Sequence, residues 1–366
     1  MITILPGKRI EAAKRAFSTR RVSLAAIKGY IDHEYQPNVG DVVLARVEEV
    51  GRLERIELPC GRKSRLYEGD EVLLAYGNRY APDAYEALMP RDLGPCDLAA
   101  AGGLAATIVE TNLLFADEDR PPTSLAPIGV CVDHDGHPIN VAGYGLGQGR
   151  SVITDVPVIT VFGSSMNSGK TTTAAGLIRG LAQQGLTVGA AKITGTCSGG
   201  DLWKFLDAGC YRAYDFTDVG MATTYKESTT SIVAGAQALV SELEADDCDV
   251  IVMEIADGIH QEETAALLND QAMRLLVDHW VYAADSASAV NLGARIAKDI
   301  GLPLRCISGA VTASPLAVRE ASNSTEVPML GLDELESGEQ AMSWIDPLRR
   351  YADVPIGLYA TQMQAF

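Results

Sequence analysis

The sequence predicts an α/β protein, a mainly parallel sheet with helices on both faces, preceded by a smaller β-rich domain. Three observations carry this. From about residue 157 onward, apolar strand-length runs alternate with helical patterns. Before about residue 150 the chain carries short alternating segments punctuated by glycine. Between them, Gly143 to Gly149 holds four glycines in seven residues, followed by Arg150, and reads as a linker. A chain of 366 residues suits about two domains, here 1–150 and 151–366.

In the first part, Val42–Val47, Arg55–Leu58 and Glu71–Tyr76 read as strands, with Gly61, Gly69-Asp70 and Gly77-Asn78 as turns. Residues 117–123, Asp-Glu-Asp-Arg-Pro-Pro-Thr, read as a loop or hinge. Cys131–Val141 reads as a hairpin with Asp135-Gly136 at its tip. In the second part, Pro157–Phe162 is an apolar strand. Ala174, Leu177, Ile178 and Leu181 then recur at helical spacing until Gly185. Strands follow at Leu186–Ala191, Cys248–Glu254, Trp280–Ala284, Leu304–Ser308 and Val327–Leu330, and helices at Ser228–Glu244 and Ser286–Ile300.

Composition excludes several classes. Lys+Arg 30 against Asp+Glu 48 leaves a net charge of −18, which disfavours nucleic acid or an anionic membrane as the main partner. Hydrophobic residues at 47% with 21% charged residues are globular composition, not that of a disordered chain. No apolar run reaches the ~18 residues of a membrane span, and the N-terminus lacks the pattern of a secretory signal. Seven cysteines without a Cys-x-x-Cys pair read as reduced thiols, so a cytoplasmic protein is expected.

The strongest signal is Gly163-Ser-Ser-Met-Asn-Ser-Gly169-Lys170-Thr171-Thr172, set between a strand and a helix. Such a loop turns backbone N–H groups and a helix N-terminus toward phosphate oxygens. Gly163, Ser164, Asn167, Ser168, Gly169, Lys170, Thr171 and Thr172 are the expected phosphate contacts, with Lys170 at the β/γ-phosphates and the Thr171 hydroxyl on Mg²⁺. The usual spacing puts its first glycine at 164, where this chain has Ser164, and Gly163 stands one residue earlier.

A nucleotide-bound Mg²⁺ calls for a carboxylate at the end of a neighbouring strand. Asp249–Glu254 is such a strand, and Glu254 is the expected metal ligand beside Thr171. Asp257 reads as a second ligand, as a base, or as the cap of a helix beginning near Glu262. Lys192 lies at the end of the second strand, on the same rim, and is expected to neutralise an acceptor or a transferring phosphoryl group. Thr194, Thr196 and Asp201 follow as substrate contacts, Asp201 alternatively as a helix cap. Lys170, Lys192 and Asp257 are thus the catalytic candidates. Tyr214–Tyr225, rich in hydroxyls and carboxylates, reads as a substrate loop or as a solvated one. Cys131, His134 and His137 invite a metal, but a hairpin turn accounts for their polarity. His260 is a candidate base and Cys197 a candidate thiol near the phosphates. Arg79, in the loop Gly77–Asp83, reads as part of a turn or as a hand on an anionic substrate from across the domain interface.

Over residues 155–335 the second part resembles the dethiobiotin synthetase-like P-loop proteins. That group includes the cobyrinate amidation enzymes, the molybdopterin-guanine dinucleotide adaptor and a family with D-glutamate N-acetyltransferases. The matching segments are Gly163–Thr172, Lys192-Ile-Thr-Gly195 and Glu254-Ile-Ala-Asp-Gly258; Ile255 and Asp257 stand where the group often has glycine. The resemblance implies a P-loop NTPase fold, ATP and Mg²⁺ as cofactors, and a homodimer with the acceptor near its boundary. Three functions fit: an ATP- and Mg²⁺-dependent enzyme of kinase or ligase type acting on a small-molecule substrate, polar or anionic; a nucleotide-binding adaptor or cofactor-assembly GTPase; and an acyl-CoA-dependent N-acyltransferase holding CoA phosphates in the loop. No Asn/Thr-Lys-x-Asp guanine signature occurs, which weakens the GTPase reading.

Overall fold

The computed structural model describes residues 2–116, 120–147 and 154–345. The expected boundary at 150/151 and the hinge residues 117–119 fall outside the described residues.

The second domain is built on a six-stranded sheet. Its order runs Arg212–Asp215, Val188–Lys192, Val250–Glu254, Val158–Gly163, His279–Ala283, Leu304–Ser308, and every neighbouring pair is parallel. The three central strands are buried along their whole length, which is why they read as unbroken apolar runs rather than as alternation. Helices cover both faces. One face packs Ile232, Leu239 and Leu243 of helix Thr229–Ala245 with Met273 and Val290. The other packs Leu177, Ile178 and Leu181 of helix Lys170–Gln183 with Phe205, Leu335 and Trp344. Ser228 and Ser286 cap their helices through side chains that accept from Ser231 and Ala289 N–H.

The first domain closes on itself. Ser124–Val132, Val42–Glu49, Glu71–Tyr76, Leu104–Thr111 and Cys96–Ala100 pair in that order, and Cys96–Ala100 pairs back to Ser124–Val132. A closed ring has no exposed edge. Alternate residues Val43, Ala45, Val47, Val72, Leu74, Leu98 and Val130 fill its interior. The opposite set, including Val42, Leu44, Leu73, Ala75 and Cys131, packs outward against Leu5, Ile10 and Tyr30, and reaches Cys197 and Ala222 of the second domain. The barrel wall is therefore buried on both sides, and one side is the domain interface.

The two domains meet backbone to backbone. A Cβ on Gly102 would stand 2.0 Å from the Cys197 carbonyl oxygen. Glu57, 2% exposed, accepts from Trp203 Nε1 at 2.9 Å and from Gly199 N at 3.1 Å.

Several elements differ from expectation. Val327–Leu330 forms no strand; Met329 makes a single parallel bridge to Ile307. Tyr214 and Asp215 do not start a loop but end the edge strand Arg212–Asp215, and Asp215, Thr217 and Asp218 are buried at the domain interface. Their polarity serves that contact rather than a solvated lid. Cys131 faces the apolar side of the barrel wall, so the Cys131/His134/His137 grouping does not form; His134 and His137 are exposed.

Candidate functional site

The end of strand Val158–Gly163 and the start of helix Lys170–Gln183 frame a tight loop. Gly163 is required by space: a Cβ there would meet Ser168 Oγ at 2.4 Å, Lys170 Cγ at 2.7 Å and the Ala283 carbonyl at 2.8 Å. This is the physical reason that the glycine stands at 163, since it is here that the loop leaves the sheet. Gly169, with φ +97°, is the N-cap, and a Cβ there would stand 2.9 Å from Gly309 Cα and from Ala310 N. The Ser308–Pro315 segment thus supports the loop from behind, with Ala310 N donating to Ser168 O at 2.9 Å. Asn167 takes φ +66°, a left-handed conformation that asparagine tolerates.

A cavity of about 480 Å³ opens over this loop. Its walls include Asn167, Gly169, Lys170, Thr171 and Thr172 from the loop and helix, Lys192, Thr196 and Asp201 from the second strand onward, and Glu254 and Asp257 from the third. Ten of the sequence-derived site residues thus share one cavity. Four others do not line it. Ser164 Oγ and Ser168 Oγ are buried behind the loop, and Gly163 lies beneath it. Thr194, expected at the substrate, is 3% exposed, and its hydroxyl accepts from Ala256 N at 2.7 Å; it ties two rim loops together instead of reaching the cavity.

Thr171 Oγ1 donates to Glu254 Oε1 at 3.1 Å, so the hydroxyl and carboxylate expected on one metal stand side by side. Glu254 is 1% exposed, and its Oε2 is buried without a partner. Burial pushes its carboxyl above the ordinary range, against the pull of Lys192. A buried carboxylate oxygen left unspent beside a hydroxyl fits a hard divalent cation, which takes oxygen ligands. Asp257 sits at φ +62° on the way out of the same strand. Burial raises its carboxyl as well, with Lys170 and Lys192 opposing. It does not cap the next helix; Gln261 does, accepting from Thr264 N at 2.8 Å. Gly258 is forced by the loop, because a Cβ there would stand 2.4 Å from Ser164 O.

Lys170 is 6% exposed, and its Nζ donates to Ser165 O at 2.7 Å. Burial lowers its pKa, with Glu254 and Asp257 pulling the other way. Lys192 is buried between two carboxylates: it pairs with Asp201 and lies 3.7 Å from Glu254 Oε1. Burial opposes its charge, but the two acids outweigh that and hold the ammonium above its ordinary value. Its charge is spent on these partners. Asp201 stands in the first turn of helix Gly200–Asp207 without capping it; burial pushes its carboxyl up, yet Lys192 holds it below the usual range.

Sequence reasoning missed one contribution. Lys204, on the cavity wall, donates to Thr172 Oγ1 at 2.7 Å; one turn from Asp201 on a helix, it had only spacing to betray it. The first domain supplies Arg79, Tyr80 and Ala81 to the wall, which places Arg79 at the cavity from across the domain interface, one of the two positions its sequence allowed. Of the other candidates, His260 is exposed and lines no part of the cavity. Cys197 is fully buried, with its thiol pushed up to about 12 by burial, which leaves no reactive thiolate at neutral pH.

The strand–loop–helix geometry, the parallel sheet and the acidic strand beside the loop strand give the second domain the P-loop NTPase fold. No family model matches the chain, and no curated protein matches it. Solved structures similar to it include the signal recognition particle receptor FtsY from Elizabethkingia anophelis, at 16% identity and TM-score 0.36 over 56% of this chain and 70% of that one. The hydrogenase maturation factor HypB from Archaeoglobus fulgidus matches at 17% identity and TM-score 0.34, over 53% of this chain and 89% of its own. FtsY from Mycoplasma mycoides matches at 11% and 0.35, over 52% and 66%. Likenesses this loose carry no statement about ligand or activity. Among the described residues no helix is long and apolar enough to cross a membrane.

Proposed function

We propose that the chain binds a nucleoside triphosphate with Mg²⁺ on the loop 163–172 and uses it to activate a small polar or anionic metabolite in the adjoining cavity. The observation that carries this is the buried, unpartnered Glu254 Oε2 beside Thr171, one strand away from the loop. Lys170 and the free N–H groups of the first helical turn would neutralise the phosphates. Thr171 and Glu254 would hold the ion, which supplies charge neutralisation at the phosphoryl oxygens. Lys192 acts on the metabolite only indirectly: it keeps Glu254 and Asp201 in place. Asp257, with its raised carboxyl at the cavity wall, is suited to take a proton from the acceptor. ATP is favoured as the nucleotide because the guanine signature is missing. Membership of the dethiobiotin synthetase-like group is part of the same proposal, supported by Lys192 and Glu254 standing together on one rim.

A second reading, a nucleotide-switched adaptor, rests on a different observation. The first domain grips the segment leaving the edge strand, through Arg20 on Asp215 and Asp218 and through Glu86, which accepts from Tyr225 Oη at 2.8 Å. A nucleotide-driven shift of that segment would be felt by the barrel. A nucleotide panel read by thermal shift, with and without Mg²⁺, tests the common core. Stabilisation by ATP analogues that requires Mg²⁺ supports the first reading; preference for GTP analogues supports the second. No response to any triphosphate refutes both.

A further inference from the structure

The cavity is closed on one side by the other domain. Strand Arg79–Tyr80 pairs with Tyr85–Leu88, and the turn between them is docked onto the phosphate loop. Asn167 Nδ2 donates to Asp83 Oδ2 at 3.0 Å, and Met166 packs against Ala81, Ala84 and Tyr85. The Tyr80 ring packs against Tyr225, with centroids 5.5 Å apart and planes tilted by 48°. The segment 79–83 is therefore as much a part of the cavity as the loop it covers.

Within that wall the cations are unequally spent. Lys192 is neutralised by Asp201 and Glu254. Lys170 faces the expected phosphates, and Lys204 lies at the exposed rim. Arg79 is different. It is half-buried, its Nη1 donates to the Ala99 carbonyl, and its guanidinium lies 5.7 Å from the Tyr85 ring centroid. Among the described residues it forms no ion pair, and Asp83, the acid nearest in sequence, is turned to Asn167. A guanidinium has five N–H donors in a rigid fork. With one edge on Ala99, the others remain for a ligand at the cavity wall. A poorly hydrated charge without a counter-ion is costly unless an anion completes it. Desolvation indeed lowers its pKa, with Cys197, Asp83 and Tyr85 pulling the other way.

We propose that Arg79, delivered by the first domain, is the anion receptor of the acceptor subsite, and that the acceptor carries a carboxylate or phosphate group. This deepens the proposed function and rests on it for the word acceptor. The position of the receptor argues for acceptor rather than nucleotide. Arg79 donates to Ala99 and lies near the buried Cys197, beside Thr196 of the cavity wall, and the charges that act on it are Cys197, Asp83 and Tyr85 rather than the metal-site acid Glu254. The first domain thus selects what the second domain activates.

The test uses the full chain loaded with Mg²⁺ and a non-hydrolysable ATP analogue, so that the loop is filled. Succinate and methyl phosphate are titrated as probes for the two anion types, with neutral succinamide as control. Wild-type protein should bind one of the anions and not succinamide, and the affinity should weaken with added salt. Arg79→Gln should lose at least about tenfold in that affinity, the scale of a charge-assisted pair, while the ATP analogue binds as before. Phenylglyoxal labelling of wild-type Arg79, mapped by mass spectrometry, should be slowed by the same anion; this arm needs no variant to fold. The proposal is overturned if neither anion binds up to tens of millimolar, if succinamide binds equally well, or if Arg79→Gln keeps wild-type affinity. Failure of the nucleotide reading is separately visible, as loss of analogue binding, and the anion titration is then run on the free protein with the same criteria.

Discussion

Removing Arg20 should loosen the two domains from each other more than any other single substitution on their interface. Its Nη2 lies 3.1 Å from Asp215 Oδ1 and 2.7 Å from Asp218 Oδ2, and its Nη1 donates to Thr217 Oγ1. The guanidinium also covers the Phe17 ring at 4.0 Å. Asp218 keeps a second cation, Arg21 at 3.2 Å, but Asp215 is fully buried and has no other among the described residues. Arg20→Ala therefore strands a buried carboxylate, which costs about 3–5 kcal/mol. Replacing both partners, Arg20→Ala with Asp215→Asn, should cost clearly less than the sum of the two single changes, because no charge is left unpaired. Urea unfolding of the four proteins measures this, with tryptophan emission reporting Trp203 at the interface. A loss below about 1 kcal/mol in Arg20→Ala, the level of a solvated surface pair, would refute the reading that this cluster joins the domains.

Three further outcomes follow from the same contacts. Burial raises the Asp215 carboxyl, with Arg20 pulling it down, so the folded chain keeps that proton to higher pH than the unfolded one. Stability should fall as pH rises from the ordinary carboxylate value of about 4, and Asp215→Asn should flatten this fall in urea titrations across mildly acidic pH. Gly163→Ala should remove triphosphate binding and cost about 1–3 kcal/mol, because its methyl overlaps Ser168, Lys170 and Ala283; calorimetry showing unchanged affinity contradicts this. Glu254→Gln should leave nucleotide binding largely intact while turnover drops by orders of magnitude, and Thr171→Ala should first weaken the dependence on Mg²⁺; full turnover in Glu254→Gln would move the metal to Asp257.

The second domain was legible because its signals are local. Fully buried central strands read as apolar runs, and the loop between Gly163 and Lys170 announces itself within ten residues. Edge elements were harder. Arg212–Asp215 is exposed or half-buried over three of its four residues, so no run of apolar residues marks it. The barrel was only half visible. Its strands alternate as expected, but closure joins Cys96–Ala100 to Ser124–Val132, a pairing no local pattern encodes. The same limit applies to the site. Glu254, Lys192 and Asp201 were found from their places on the rim. Thr194 was assigned by adjacency, whereas a buried hydroxyl with a backbone partner is a matter of tertiary contact. Arg79 was read either as part of a turn or as a hand on an anionic substrate from across the domain interface; what places it at the cavity is the docking of 79–83 on the phosphate loop, which no local pattern encodes.

The most direct measurement is calorimetric titration of Mg²⁺ with a non-hydrolysable ATP analogue into wild-type protein and Lys170→Ala. Lys170 is buried, so the variant's unfolding transition is recorded alongside to confirm that it remains folded. The account predicts Mg²⁺-dependent binding to the wild type and none to a folded Lys170→Ala. Equal affinity in the two proteins would contradict it.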